Sequence, residues 1–319
     1  MPTLSDMEKK ERYYDIFCQI YDDPRKQIYE ISKVLGIYRK SVSKALQEMV
    51  DQKILVGPQL RLRPIRKKPK IYYVLDFDDP FKAYDKLVEN RDLTYIGILF
   101  GDFPVIAAGV PGIDFSKYPG FKEVLFSGER GEICTPKASS LSWEGCAAHM
   151  LKEIEKSDTW EKSTWISSSV DIPWDHQEWE FFLEFGGDIR RKIAPLVRER
   201  DVSFRKFYEW LRTKDEYTTI HTGFYPEGFA SYTSYLFLFK TDYEYALMDL
   251  FSLLPTTPLF FKVGNYLLSW FYIRTDPLIT SLSKAIYALK ERSILTDFYK
   301  GIVVMYYVRS GYRYFTRRD

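Results

Sequence analysis

Residues Gln27–Lys70 read QIYEISKVLGIYRKSVSKALQEMVDQKILVGPQLRLRPIRKKPK, and their pattern decides the fold. Ile28, Ile31 and Leu35 mark one apolar helical face, Gly36-Ile37 interrupts it, and Val42, Ala45, Leu46 and Met49 mark a second face at spacings of three and four. Two short helices joined by a glycine-containing turn form the helix-turn-helix pattern. The second helix, residues 38–50, keeps Tyr38, Arg39, Lys40, Ser43, Lys44 and Gln47 off its apolar side. There they can donate to phosphates or read base edges in a major groove. Gly57-Pro58 then turns the chain, and alternating apolar residues predict a basic β-hairpin, or wing. It carries Arg61, Arg63, Arg66, Lys67, Lys68 and Lys70 toward phosphate or the minor groove. Pro64 and Pro69 suit an exposed hairpin and not a central strand. A small helical domain with a solvated basic tail would share the two helical faces; the wing tips the expectation toward duplex DNA.

Charge supports a local anionic partner. The formal net charge is only +2, yet Arg39–Lys70 holds ten Lys/Arg against Glu48 and Asp51. A chain that is near neutral overall and basic in one place is not generally adhesive. At 319 residues and 45% hydrophobic content, two to four domains can each bury a core. Cys18, Cys134 and Cys146 are far apart with no CxxC spacing, which argues against a disulfide framework or structural zinc and suits a cytoplasmic location. The N-terminus lacks an apolar signal core, and no window predicts a membrane span.

Working outward, residues 11–22 predict a first amphipathic helix, with Tyr13, Ile16, Phe17 and Ile20 on one face. After Lys70 the order becomes strand, helix, strand, strand, the start of a ferredoxin-like βαββαβ unit. KEVLFSGERGEICTP is expected as a hairpin in place of that unit's second helix and last strand. Residues 138–173 join two halves through a helix. The order then begins again, with a second winged helix-turn-helix in 174–228 and a second ferredoxin-like unit in 229–319. The expectation is therefore an α+β chain: 1–70 winged helix-turn-helix, 71–137 ferredoxin-like effector domain, 138–173 linker, then the two repeated domains. At an offset of 165, Ile28 meets Ile193, Ile31 meets Leu196, Val42 meets Phe207 and Leu46 meets Leu211. At 163, Gly101-Asp102 meets Gly264-Asn265.

A winged helix-turn-helix followed by βαββαβ resembles the feast/famine, leucine-responsive (AsnC-type) transcription regulators. Gly101-Asp102 is similar to the family's Gly-Asp turn between strands two and three, and Gly264-Asn265 is a weaker copy. The resemblance implies a regulator that binds double-stranded DNA and takes a small-molecule effector. It also implies that the tandem copies form, within one chain, the dimer such proteins make from two. The second copy departs from the pattern. SFRKFYEWLRTK places Phe204, Phe207, Tyr208, Trp210 and Leu211 where the first has Arg39, Val42, Ser43, Ala45 and Leu46, and TTIHTGFYPEG has no Lys or Arg. Phosphate neutralisation supplies much of DNA affinity, so DNA contact is expected in the first copy alone, and a palindromic site then needs a homodimer.

No motif predicts an enzyme, a cofactor or a metal. His149, His176 and His221 sit in no HExxH, and Cys146 with His149 is read as a helix surface. SGERGE (Ser127–Glu132) has only two glycines and no following helix to make a phosphate loop. Asp78-Asp79 and Asp242 are read as helix caps. One enzyme alternative stands beside the regulator: siroheme decarboxylases resemble paired feast/famine units and use His and Arg around a tetrapyrrole. His221 and Arg274 are this chain's candidates for that role. An interaction scaffold is the third class, and the local positive charge argues against it.

Overall fold

The computed structural model describes residues 5–199, 202–274 and 278–309. Helix α1 (Asp6–Asp22) starts earlier than its apolar face alone predicts. The Ser5 hydroxyl accepts from Glu8 N and the Glu8 carboxylate accepts from Ser5 N, a reciprocal cap that lets a charged turn join the helix. Helix α2 (Ile28–Leu35) stops at Gly36, whose φ of +64° a side chain would strain. Helix α3 (Arg39–Asp51) follows. Tyr13, Ile16, Phe17 and Ile20 of α1 close on Ile31, Val42 and Met49, the faces read from spacing.

The expected wing is not a hairpin. Strand β1 (Leu55–Leu62) has no return strand of its own; it pairs antiparallel with β6 (Thr218–Phe224) from the second copy. Leu55 lies opposite Phe224, Gln59 opposite His221 and Leu62 opposite Thr218. Each copy thus gives one strand to a shared ribbon, and the second hairpin, TTIHTGFYPEG, is likewise a single strand leading into a turn. The reason lies in residues 63–70. Pro64 and Pro69 lack the N–H that a ladder needs, and Ile65 makes only an isolated bridge to Val170. The segment is held as a loop by Arg66 N to Val170 O (3.0 Å) and Val170 N to Pro64 O (2.8 Å). At the irregularity between Val56 and Gln59, Gly57 has φ +87°, and a Cβ there would lie 2.5 Å from the His221 carbonyl.

The remaining elements repeat. Strand β2 (Ile71–Phe77), α4 (Pro80–Glu89), β3 (Leu93–Gly101), β4 (Val105–Gly109) and β5 (Phe121–Cys134) form the first unit. Helix α5 (Trp143–Glu155) leads to α6 (His176–Phe185), α7 (Ala194–Glu199), α8 (Phe204–Thr213) and β6. Strand β7 (Thr233–Lys240), α9 (Glu244–Ser252), β8 (Leu259–Val263), β9 (Tyr266–Ile273), α10 (Leu278–Glu291) and β10 (Asp297–Val308) form the second unit. Strand β5 is one 14-residue strand where a hairpin was expected. Helix α5 follows it and packs Cys146, Met150 and Ile154 against Phe251, Leu282 and Leu289 of the second unit.

The eight strands β2–β5 and β7–β10 close into an antiparallel barrel, in the order β10-β3-β4-β2-β5-β8-β9-β7. Closure comes from exchange of last strands. Strand β5 pairs with its own β2 and with β8 of the other unit; β10 pairs with its own β7 and with β3 of the other. Glycines allow the two crossings. A Cβ on Gly101 would lie 2.2 Å from Lys300 O, and one on Gly128 would lie 2.5 Å from Gly264 N. Asp102 completes the first crossing: its N donates to Lys300 O and its Oδ2 accepts from Lys300 N, both at 2.8 Å. The Gly-Asp motif therefore seats the other unit's last strand.

The helix-turn-helix units are clamped together as well. Arg190 donates to Pro24 O (2.9 Å) and Lys26 O (2.8 Å), while Arg25 donates to Ile189 O and covers the Phe207 ring. Phe207 and Trp210 of α8 are buried in an aromatic core with Trp174 and Phe181. Their positions serve packing where α3 has a small apolar face. Among the described residues, no helix is long and apolar enough to cross a membrane.

Candidate functional site: a cationic cavity at the end of the barrel

Where the β1–β6 ribbon meets the barrel, the end of β1 and the loop after it cover a cavity. Every barrel strand except β4 contributes to its lining, with Phe182 and Phe229 completing the wall. It offers about 200 Å³ to the centres of water molecules and about 1300 Å³ of atom-free space including its open mouth. It continues the barrel core, to which Tyr72, Tyr95 and Phe261 already belong.

Five cations line it: Arg61, Arg63, Lys68, Lys70 and Arg130. Four come from the predicted wing; with no hairpin formed, Arg61, Arg63 and Lys70 are half-buried while Lys68 stays exposed. Arg61 donates to Gln59 Oε1 (3.3 Å), and Arg63 pairs with Glu132 at 2.7 Å. Arg130, on β5, donates through Nη2 to Leu62 O (2.9 Å) and through its backbone N to Lys70 O (2.8 Å). Burial, with Arg130 and Arg61 nearby, pushes the Lys70 ammonium down to about 7. Such a cluster disfavours its own charge and favours an incoming anion.

The other walls are aromatic. The Tyr95 ring lies 5.8 Å from Trp270 edge-on and 6.4 Å from Tyr306 nearly parallel, and Tyr72 lies 4.8 Å from Phe261. Tyr95 Oη and Trp270 Nε1 are buried without a hydrogen-bond partner. An orphaned buried donor costs about 1–3 kcal/mol, so these two suit a site that a ligand completes. Burial also pushes the Tyr95 hydroxyl well up, which keeps it a neutral donor.

Sequence reasoning missed Arg130, Tyr95, Trp270 and Tyr306. A signal existed in same-face pairs at i and i+2: Leu259 with Phe261, Trp270 with Tyr272 and Tyr306 with Val308 all face the cavity. Alternation shows that such residues share a face, though not which face is enclosed.

The other predicted residues divide. Tyr38, just before α3, and Arg39, Lys40, Ser43, Lys44 and Gln47 on it are all exposed, and the last five with Glu48 line a shallow groove. Gln47 donates to Asp51 (2.9 Å) and Lys44 lies 3.8 Å from Glu48. Arg66 and Lys67 are exposed on the loop, with Arg66 3.1 Å from Asp171. Neither His221 nor Arg274 is in the cavity wall. His221 is buried with Nδ1 2.9 Å from Thr135 Oγ1 and Nε2 2.6 Å from Thr219 Oγ1. Burial, then Arg61 and Arg130, holds its pKa well down, so a neutral imidazole has both nitrogens engaged. Arg274 is exposed beyond β9.

The fold is similar to that of the siroheme decarboxylase NirDL. Its crystal structure superposes with a TM-score of 0.50 at 9% sequence identity, over 95% of this chain and 94% of that one. The crystal structure of NirDL in co-complex with an iron-uroporphyrin III analogue gives a TM-score of 0.47 at 7% identity, over 92% of each chain. No protein-family model and no curated protein matches the sequence. The likeness shows the fold alone, an α+β architecture shared along nearly the whole of both chains.

Proposed function

We propose that this chain binds a flat, aromatic, carboxylate-bearing molecule of the tetrapyrrole class in the barrel-end cavity. The observation that carries the reading is the joining of Arg61, Lys70 and Arg130 to an aromatic wall with two orphaned donors. Charge-assisted hydrogen bonds from the cations would hold carboxylates. Tyr95, Tyr306 and Trp270 offer faces and edges to a ring system. A neighbour in fold that is named for acting on siroheme supports the same ligand class. His221 is not an iron ligand in this geometry; it ties β6 to Thr135 behind the cations.

The test is an absorbance titration of the full-length protein with siroheme. A saturable one-to-one shift is expected, weakened in Lys70→Met and Arg130→Gln. No shift at stoichiometric concentrations would sink the proposal. Product mass after incubation then separates a decarboxylase, which releases CO2, from a protein that only binds.

The exposed α3 face supports a second reading, binding of duplex DNA as a homodimer on a palindromic site. Arg39→Ala/Lys40→Ala/Lys44→Ala should then weaken duplex binding and flatten its salt dependence. Unchanged binding would remove α3 from the interface.

A further inference from the structure

Orphaned buried polar atoms occur at several places in the molecule, in different surroundings. Trp174 Nε1, Trp210 Nε1, Ser157 Oγ and Ser269 Oγ belong to residues outside the cavity wall. Tyr95 and Trp270 line the cavity, and neither Tyr95 Oη nor Trp270 Nε1 has a hydrogen-bond partner. Their rings meet edge-on with centroids 5.8 Å apart. Gly97 makes room for the hydroxyl: a Cβ there would lie 2.8 Å from Tyr95 Oη. Strand β3 thus omits a side chain where it seats a donor that no protein acceptor meets. Strands β9, β7, β10 and β3 are consecutive in the closed order and form one wall around the two donors. None of the described residues they give to the lining is charged.

Resting on the tetrapyrrole reading above, we infer that Tyr95 Oη and Trp270 Nε1 form a neutral-donor subsite that receives one carboxyl group of the ligand. A buried donor without an acceptor costs free energy, and an oxygen brought to it recovers that cost in a wall where water does not compete. The carboxyl group loses its own water on entry and needs donors in exchange. Phenol and indole supply them without adding charge to the wall. The subsite therefore favours tetrapyrroles with a carboxyl group directed at the β9–β7–β10–β3 wall. Siroheme, with carboxyl groups around its whole rim, has one to present there in any orientation of its ring.

The experiment combines siroheme titration of the full-length chain with urea unfolding of the ligand-free protein. Tyr95→Phe keeps the ring and removes only the hydroxyl. Without ligand it deletes an unsatisfied group, so the urea midpoint should hold or rise. With ligand it deletes a hydrogen bond, so siroheme affinity should fall about tenfold. A structural hydroxyl would move both quantities downward, so the opposite signs are the signature of the subsite. Trp270→Phe should weaken siroheme by a similar factor. The double variant should lose less than the product of the two losses, since both donors act on one group. Siroheme binding both single variants as tightly as the parent would overturn the inference and leave the tetrapyrrole reading standing. A lowered urea midpoint in ligand-free Tyr95→Phe would overturn it too, by placing the hydroxyl's partner within the protein. Losses that multiply in the double variant would overturn the shared carboxyl group. If siroheme fails to bind the parent chain, both readings fall together.

Discussion

Arg39, Lys40 and Lys44 on α3 and Arg61, Arg63 and Lys70 further along belong to the same basic stretch, yet they meet opposite environments. The first three stand in solvent on a helix whose other face is buried. The second three line a cavity beside aromatic rings. The difference is set by neighbours, not by the residues. Helix α3 completes its own packing with α1 and α2, so its outer face remains free. Strand β1 finds its partner far along the chain in β6, Leu55 opposite Phe224 and Leu62 opposite Thr218, and that ribbon brings its last residues onto the end of the barrel. Basic character along a chain is thus a poor guide to which charges a soluble partner can reach.

The largest effect should come from the residue that shapes the ribbon. Gly57→Ala forces a Cβ against the His221 carbonyl at a positive φ. It should lower stability by about 3 kcal/mol and weaken ligand binding, while α3 keeps its helical protection. Urea unfolding and hydrogen exchange would show this; a change below about 0.5 kcal/mol would mean the ribbon does not constrain the cavity.

Next in size is the pH response of Lys70. Folded Lys70 gives up its proton near 7, whereas an unfolded lysine keeps it to about 10.4. Between those values the unfolded chain binds more protons, so this group makes stability rise with pH from about 7 to about 10.4 and fall on acidification over the same window, levelling off below about 7. Lys70→Met should remove that slope. A bound carboxylate favours the charged form, so anionic ligands should bind with proton uptake and lose affinity above pH 7, by at most about tenfold per pH unit. Isothermal titration in buffers of different ionisation enthalpy measures the uptake, and a buffer-independent heat would refute it.

The smallest effect on the folded protein belongs to the outer face. Arg39→Ala/Lys40→Ala/Lys44→Ala should change stability by less than about 0.5 kcal/mol and leave ligand affinity untouched, since only the exposed Lys44–Glu48 pair at 3.8 Å is lost. A loss of ligand affinity in this variant would break the separation of the two cation groups.

Much of the architecture was legible in the chain. Apolar spacing of three and four located α2 and α3, Gly36 marked their junction, and the repeated order of elements recurs in the fold. Strand partners were not legible. Leu55–Leu62 alternates as well for a local hairpin as for a ribbon with β6, because alternation fixes faces and not neighbours. The same gap hid the site. Arg130 sits in SGERGE, where a phosphate-loop search was the natural test, and its meaning depends on β5 lying beside Lys70. His221 was noticed as a histidine, yet two threonine hydroxyls, Thr219 on its own strand and Thr135 just after β5, occupy it.

The exchange of β5 and β10 has a consequence for how separable the two halves are. Each half lends the other the strand that would otherwise be an exposed margin, so neither half can be shed or expressed alone without uncovering sticky backbone. Two units joined in this way share one barrel, so their outer helices can differ, as Val42 and Ala45 on α3 differ from Phe207 and Trp210 on α8, without disturbing it. Division of labour between the halves is then a consequence of shared carpentry: one scaffold, irreversibly joint, with two faces released to specialise.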